Sequence, residues 1–250
     1  QADLVVFDDM HQLTVQSVYR NGRLVARDGT IDPEIEPPVA AADEPTVMHI
    51  DPQRLDFSVT AKGDRMRIIE LVPGQIVTRA NTGMAVNISG RTVSCPEKDV
   101  LKIVVVERYS GRGGTGLAFV KGFGLKNGAL AASVAHDSHN IIVVGADDES
   151  MYGAVTEIIR QGGGLVAFAQ GRVQAALPLP VAGLMSVAPI TQVARDLGRL
   201  TRTAHAMGSK LTDPFMALSF LALPVIPSLK ITDKGLVDVE RFKIVNLFLP

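Results

Sequence analysis

Ile103-Val-Val-Val106 and Ile141-Ile-Val-Val144 carry no polar residue, so neither can lie as a strand with one face in water. Both read as fully buried strands, the first continuing from Lys102. Shorter strand-like runs surround them. Asp3 to Phe7 opens the chain, and Val15 to Tyr19 and Leu24 to Ala26 flank Asn21-Gly22, a dipeptide that favours a two-residue hairpin turn. Arg54 to Thr60, Met66 to Val72 and Gln75 to Ala80 follow, with Pro73-Gly74 as a turn between the last two. Leu165 to Ala169 and Val173 to Leu177 bracket Gln170-Gly171, and Leu229 to Thr232 and Phe242 to Phe248 surround a turn at Asp233-Lys234-Gly235.

Helical periodicity is confined to three places. Met151, Ala154, Val155, Ile158 and Ile159 share one face after Asp147-Asp148, and Gly162-Gly163-Gly164 ends that helix. A second helix spans about Pro189 to Met207, with Val193, Leu197, Leu200 and Ala204 inward. Pro214 to Pro227 is the longest apolar stretch, broken by Pro224 and shorter than the roughly 20 residues a bilayer requires. It reads as a buried helix capped by Asp213 that runs into an extended segment, packed on several sides. Several hairpins with a few helices predict an α+β fold with a mixed sheet rather than a βαβ series.

At 250 residues and 46% hydrophobic, the chain can bury a large core. Its formal net charge of -1 supplies no field for nucleic acid or anionic lipid, so neither partner is expected. The lone Cys95 forms no internal disulfide, no secretory leader is legible, and a cytoplasmic location is the default expectation. Ile31 to Pro45 is rich in Pro, Glu and Ala without either period and reads as a linker.

Three features compete for a functional reading. Gly111-Arg-Gly113-Gly-Thr-Gly116 matches the letters of a dinucleotide loop after an apolar strand. The residues that follow, Leu117 to Gly124, alternate like a strand and hold two glycines, which argues for a hairpin or mobile loop instead. His136-Asp137-Ser138-His139-Asn140 gathers two imidazoles and a carboxylate and supplies the catalytic candidates His136, Asp137 and His139. A helix would put the histidines on one face, whereas a strand would pair Asp137 with His139. Structural turn residues are the competing account. Asp213 and Asp233 are explained as a helix cap and a turn residue, and no chemistry is assigned to them or to Asp238. No His-x-His, Cys-x-x-Cys or His-Glu-x-x-His spacing is present, so no complete metal site is expected.

QADLVVFDD and VYRNGRLVARDG resemble the last strands of the small β-domain that closes an amidohydrolase enzyme. AASVAHDSHNIIVVGADDESMYGAV, LPLPVAGLMS, DPFMALSFLALPVIPSLKITDKGLVDV and FKIV resemble the C-terminal region of bacterial-type adenine deaminases. The resemblance covers nearly the whole chain. It implies a hydrolase that converts adenine and water to hypoxanthine and ammonia in purine salvage, using manganese or iron. In that family a (β/α)8 barrel with a His-x-His strand and further His, Glu and Asp ligands precedes the segment resembling LVVFDD. No position here matches those ligands, so no metal ligand and no cofactor-binding residue carries over. The expected organisation is 1–30 as the end of the β-domain, 31–46 as linker and 47–250 as the α+β C-terminal domain.

Two roles follow from the resemblance. The domain stiffens the upstream barrel or makes homo-oligomer contacts through Phe215 to Val225, or else the glycine-rich loop and His136 to Asn140 fold over the barrel mouth as a lid. A stand-alone nucleotide-binding module and an oligomer-forming module without catalysis are the alternatives from other classes.

Overall fold

The computed structural model describes residues 2–35, 46 and 48–250. Contacts divide the chain into two compact units, Gln1–Ala42 and Asp43–Pro250. The first is a four-stranded antiparallel meander of Leu4–Phe7 (β1), Val15–Arg20 (β2), Arg23–Arg27 (β3) and Thr30–Ile31 (β4), ordered β1-β2-β3-β4. Asn21 and Gly22 turn between β2 and β3 with φ of 51° and 77°, the left-handed geometry that matches the twist of the flanking strands. None of its described residues is buried, and Leu4 and Val5 are about half exposed. The segment read as a linker already pairs at Ile31, and its residues 36–45 lie outside the described residues.

The second unit is built on an eight-stranded mixed sheet. In chain order its strands are Val59–Thr60 (β5), Arg65–Leu71 (β6), Thr78–Met84 (β7), Val86–Ile88 (β8), Arg91–Val93 (β9), Val100–Val106 (β10), Thr115–Lys121 (β11), Ala129–Ala132 (β12) and Ile141–Gly145 (β13). Helix α1 (Asp148–Arg160) leads to Gly164–Ala169 (β14) and Arg172–Pro178 (β15). Helices α2 (Ile190–Ala206) and α3 (Pro214–Phe220) precede Leu229–Thr232 (β16), Gly235–Asp238 (β17) and Lys243–Ile244 (β18). The large sheet runs β15-β14-β12-β13-β10-β11-β6-β7, antiparallel except where β11 meets β6, and β16–β18 and β5, β9, β8 form two small sheets.

The two apolar runs are the central pair β10 and β13, and both of their faces are covered. Ile103, Val105, Ile142 and Val144 join the core beneath α2, α3 and the β16–β17 hairpin. Val104, Val106, Ile141 and Val143 pack with Met151, Ala154, Val155 and Ile158 of α1. Side chains alternate between faces with period two, so a strand placed mid-sheet between two layers must be apolar at every position. Burying each such side chain contributes about 1.5–3 kcal/mol. Lys102 breaks the rule yet is fully buried, because its ammonium reaches the Phe57 carbonyl at 2.7 Å and Asp148 at 2.5 Å.

The helix signals act as read. Asp147 caps α1 by accepting from the Ser150 amide at 2.7 Å. At the other end Gly163 N–H donates to Ile158 O and Gly162 N–H to Ile159 O, the paired bonds of a Schellman cap. Gln170 and Gly171, both with positive φ, turn β14 into β15.

Several expectations change. Arg54 to Thr60 is mostly a 3-10 turn and loop, because Leu55 and Phe57 point into the α1-side core without a neighbouring strand, and β5 keeps two residues. The strand expected at Gln75 to Ala80 starts at Thr78 and runs to Met84. The run Phe242 to Phe248 is a strand only over β18, with a separate antiparallel bridge from Phe248 to Met66 of β6, and Gly235–Asp238 forms a strand missed in the sequence. Helix α3 stops after seven residues, and Met216 stays half exposed, so the apolar stretch is covered on one side rather than all round. No helix among the described residues is long and apolar enough to cross a membrane.

Candidate functional site

His136 to Asn140 occupies the connection from β12 to β13, between two strands that are buried on both faces. It is a turn, so neither periodic placement of the histidines applies. His139 takes φ of 49° and its amide donates to Ala135 O at 2.6 Å, closing the turn. His139 Nδ1 accepts from the Ala135 amide at 3.3 Å, which assigns the ring proton to Nε2. The two imidazoles meet edge to face with centroids 5.7 Å apart. His136 also packs on Phe220 at 4.6 Å, and its amide donates to Ser219 O at 3.2 Å, tying the turn to the end of α3. Asp137 and Ser138 are exposed at the tip. Asp137 forms no ion pair with either histidine among the described residues.

The turn is backed by Arg108, which follows β10 and is 3% exposed. Its Nε donates to His139 O at 2.5 Å, its Nη2 donates to Ala182 O at 2.8 Å, and its amide donates to Asn140 Oδ1 at 3.3 Å. One planar fork therefore joins the β10 end, the histidine turn and the 181–184 segment. Tyr109 stacks under the guanidinium at 4.7 Å and donates its hydroxyl to Ser138 O at 2.8 Å. Ser133, fully buried, completes the frame by donating to Gly183 O and accepting from Gly164 N–H at 2.7 Å. Arg108, Tyr109 and Ser133 were not found in the sequence. Arg108 lies 31 residues from His139, and no spacing rule connects them.

Burial, then the positive charges of His136 and Arg108, hold the His139 imidazole below its ordinary range, with Asp137 opposing. His139 is thus neutral at pH 7, in keeping with its acceptor role at Nδ1. Because the folded state binds fewer protons than the unfolded chain, this contribution is complete above about pH 6.5, the ordinary imidazole value, and is lost below it as pH falls through the lowered value of the folded state. His139→Asn, which tolerates the positive φ, is expected to flatten the loss of stability between pH 7.5 and 5 in urea unfolding. Parallel wild-type and variant curves would exclude the linkage.

The glycine run Gly111 to Gly116 is the β10–β11 hairpin connection, with Val106 opposite Thr115. Glycines that lead into a strand present no helix N-terminus, so the geometry that cradles a pyrophosphate is missing there. Gly111 and Gly113 turn with φ of 70° and 74°. Burial opposes ionisation of Glu107, but the Ser110 hydroxyl and the Ser110 and Tyr109 amides outweigh it and hold its carboxyl below the usual range. Asp213 caps α3 through the Met216 amide at 3.0 Å, Asp233 sits in the β16–β17 turn, and Asp238 accepts from the Arg241 amide at 3.1 Å.

Among the described residues no three His, Cys, Asp or Glu side chains converge in a way that could hold a metal ion. His136, Asp137 and His139 offer suitable donor types, but they do not converge on one point and so do not make the manganese or iron centre that the family resemblance implies. What the turn offers is a set of hydrogen-bonding groups on a fixed backing.

A family profile described as adenine deaminase C-terminal domain matches residues 75–243, more than half of the chain. A protein named adenine deaminase from Desulfatibacillum aliphaticivorans is 52% identical over 249 residues, covering 99% of this chain and 43% of that protein. Proteins of the same name from Methanothrix thermoacetophila and Salinibacter ruber are 44% and 45% identical, covering 100% and 99% of this chain. The chain spans 43% and 45% of those two relatives, less than half of each.

Proposed function

The chain belongs to the adenine deaminase C-terminal domain family, and on that premise we propose that it is part of a metal-dependent aminohydrolase converting adenine to hypoxanthine and ammonia. The enzyme works in cytoplasmic purine salvage, and its hydrolytic chemistry, with manganese or iron, resides in an upstream barrel. In this reading residues 1–30 finish the small β-domain, 31–46 link, and 47–250 form the C-terminal domain. The observation that carries it is similarity along almost the full chain to proteins named adenine deaminase, each more than twice as long. The donor geometry of the histidine turn supports placing the chemistry elsewhere.

The domain's own contribution is structural. Phe215, Leu218, Leu221 and Ala222 are consumed by its internal core, which leaves Met216 and Val225 as the exposed apolar residues of that segment for contacts with the barrel or another subunit. The histidine turn is pinned on its inner side by Arg108, a mounting suited to a fixed contact more than to a swinging lid.

Adenine deamination by the purified chain, with and without manganese, is compared with the same chain co-expressed with its upstream region. Activity confined to the co-expressed sample is the expected result. Turnover by the chain alone would overturn the reading and make His136, Asp137 and His139 the residues to replace. In the co-expressed enzyme, alanine at His136 and His139 is expected to leave turnover and metal content within about twofold, as for substitutions outside the reacting centre.

A further inference from the structure

Arg67, in β6, is half-buried and has no ion-pair partner among the described residues. Residues 247–249 run alongside it, the Arg67 amide donating to Leu247 O at 2.8 Å and the Leu249 amide to Arg65 O at 3.0 Å. The guanidinium spends one nitrogen on the same segment, Nη1 donating to Asn246 O at 2.6 Å and to Phe248 O at 3.4 Å. Those carbonyls fix the group in place but bring no negative charge. Nε and Nη2 donate to no acceptor among the described residues. Together they form the side-on edge of a guanidinium, two parallel donors that match two oxygens of one anion.

Arg67 lines a cleft of about 870 Å³, within the roughly 300–1,000 Å³ range of small-molecule sites. Lys62, on the connection from β5 to β6, lines it as well, is exposed, and likewise has no ion-pair partner among the described residues. These two cations are the charged side chains of the lining. Asp64, two residues on from Lys62, is exposed and lies outside it. Leu117, Ile244, Leu247 and Phe248 supply an apolar wall, and Ile244 is 60% exposed, so apolar surface stays in contact with water. Two accessible cations beside an apolar wall complement a molecule with a doubly charged anionic head and an apolar body.

We propose that this cleft binds a small phosphate monoester, with its phosphate on the Nε–Nη2 edge of Arg67 and on Lys62 and its organic group against Leu117, Ile244 and Phe248. A phosphate monoester is a dianion above about pH 6 and offers three acceptor oxygens, enough for the paired donors of Arg67 and the ammonium of Lys62 together. A carboxylate would leave one of the two positive charges uncompensated. The site is independent of where adenine hydrolysis takes place, and its test uses no deaminase activity.

Benzyl phosphate, benzyl alcohol and inorganic phosphate are titrated separately into the full chain at pH 8, with amide chemical shifts as the readout. Benzyl phosphate is expected to give saturable shifts over residues 60–67 and 244–249, with an affinity about tenfold or more above that of either fragment, since only the ester joins paired charged hydrogen bonds to apolar burial. Lys62→Ala is expected to weaken it about threefold, the worth of an exposed ion pair, and Arg67→Lys by about tenfold, because an ammonium lacks the planar fork. Raising the salt concentration weakens binding further. Absence of saturable shifts, or shifts confined to other parts of the chain, would overturn the proposal. Inorganic phosphate binding as tightly as the ester would reduce the site to a pair of surface charges and overturn it equally, as would unchanged affinity in Lys62→Ala. If Arg67→Lys loosens the 246–249 segment, the three-ligand comparison and Lys62→Ala decide the matter, since Lys62 is exposed on a loop and its removal leaves the sheet intact.

Discussion

Gly116→Ala is expected to lower the unfolding free energy by about 3 kcal/mol, near the upper end for inserting a methyl group into a packed core. The strand β11 crosses the β16–β17 hairpin at this glycine with no room for a side chain. A methyl group built there lies 1.8 Å from Thr232 O and 2.9 Å from the Gly235 amide nitrogen. Both atoms are backbone, and Thr232 and Gly235 are paired with each other, so neither can yield without moving the whole hairpin. That hairpin covers the core beneath β10 and β11 through Leu229, Ile231 and Leu236, so displacing it opens a cavity as well. Gly113→Ala is the control. Gly113 has nothing within 4 Å and differs by its φ of 74°, so alanine there is expected to cost about 1 kcal/mol. Urea unfolding with an unchanged m value measures both. Equal midpoints for the two variants would show that the crossing is looser than described.

Arg108→Met is expected to cost about 2–4 kcal/mol and to release the histidine turn while leaving the central strands closed. Methionine fills the aliphatic volume but donates nothing, so Ala182 O loses its side-chain donor and His139 O keeps only the weaker Tyr109 contact at 3.3 Å. Each orphaned buried carbonyl costs about 1–3 kcal/mol. Hydrogen exchange should accelerate at the His136 and His139 amides and stay slow in β10 and β13. Removing the guanidinium also removes one of the charges that hold His139 down, so its titration should move upward towards the ordinary value. Arg108→Lys is expected to rescue little of this, since a single ammonium cannot span His139 O and Ala182 O in the fixed fork that the guanidinium provides. Unchanged exchange at the turn in Arg108→Met would assign its rigidity to the Ala135–His139 bonds alone.

The mixture of strands and helices was legible because it depends on local periodicity. Ile103 to Val106 and Ile141 to Val144 declared themselves as buried strands, Asn21-Gly22 and Gln170-Gly171 as hairpin turns, and Asp147, Asp213 and Gly162-Gly163 as helix ends. Each follows from the conformational preference of a few neighbouring residues. Periodicity misled where the long-range neighbour decides. Leu55 and Phe57 are apolar because they cover α1 rather than because they lie in a strand. The long apolar run after Asp213 helps fill the core through Phe215, Leu218, Leu221 and Ala222, yet its helix ends after two turns.

By itself the sequence determined the fold class, the central strands, the principal caps and, through long strings shared with its relatives, the family. Tertiary structure alone decided which side chains work together. Arg108 reaches His139 across 31 residues, Lys230 reaches Ile76 across 154, and Gly116 is small because of Thr232 on another strand. Hydrogen bonds and close backbone approaches are properties of distances in space. A linear pattern records periodicity along the chain, but it carries no measure of those distances until the sheet and its two covering layers have formed.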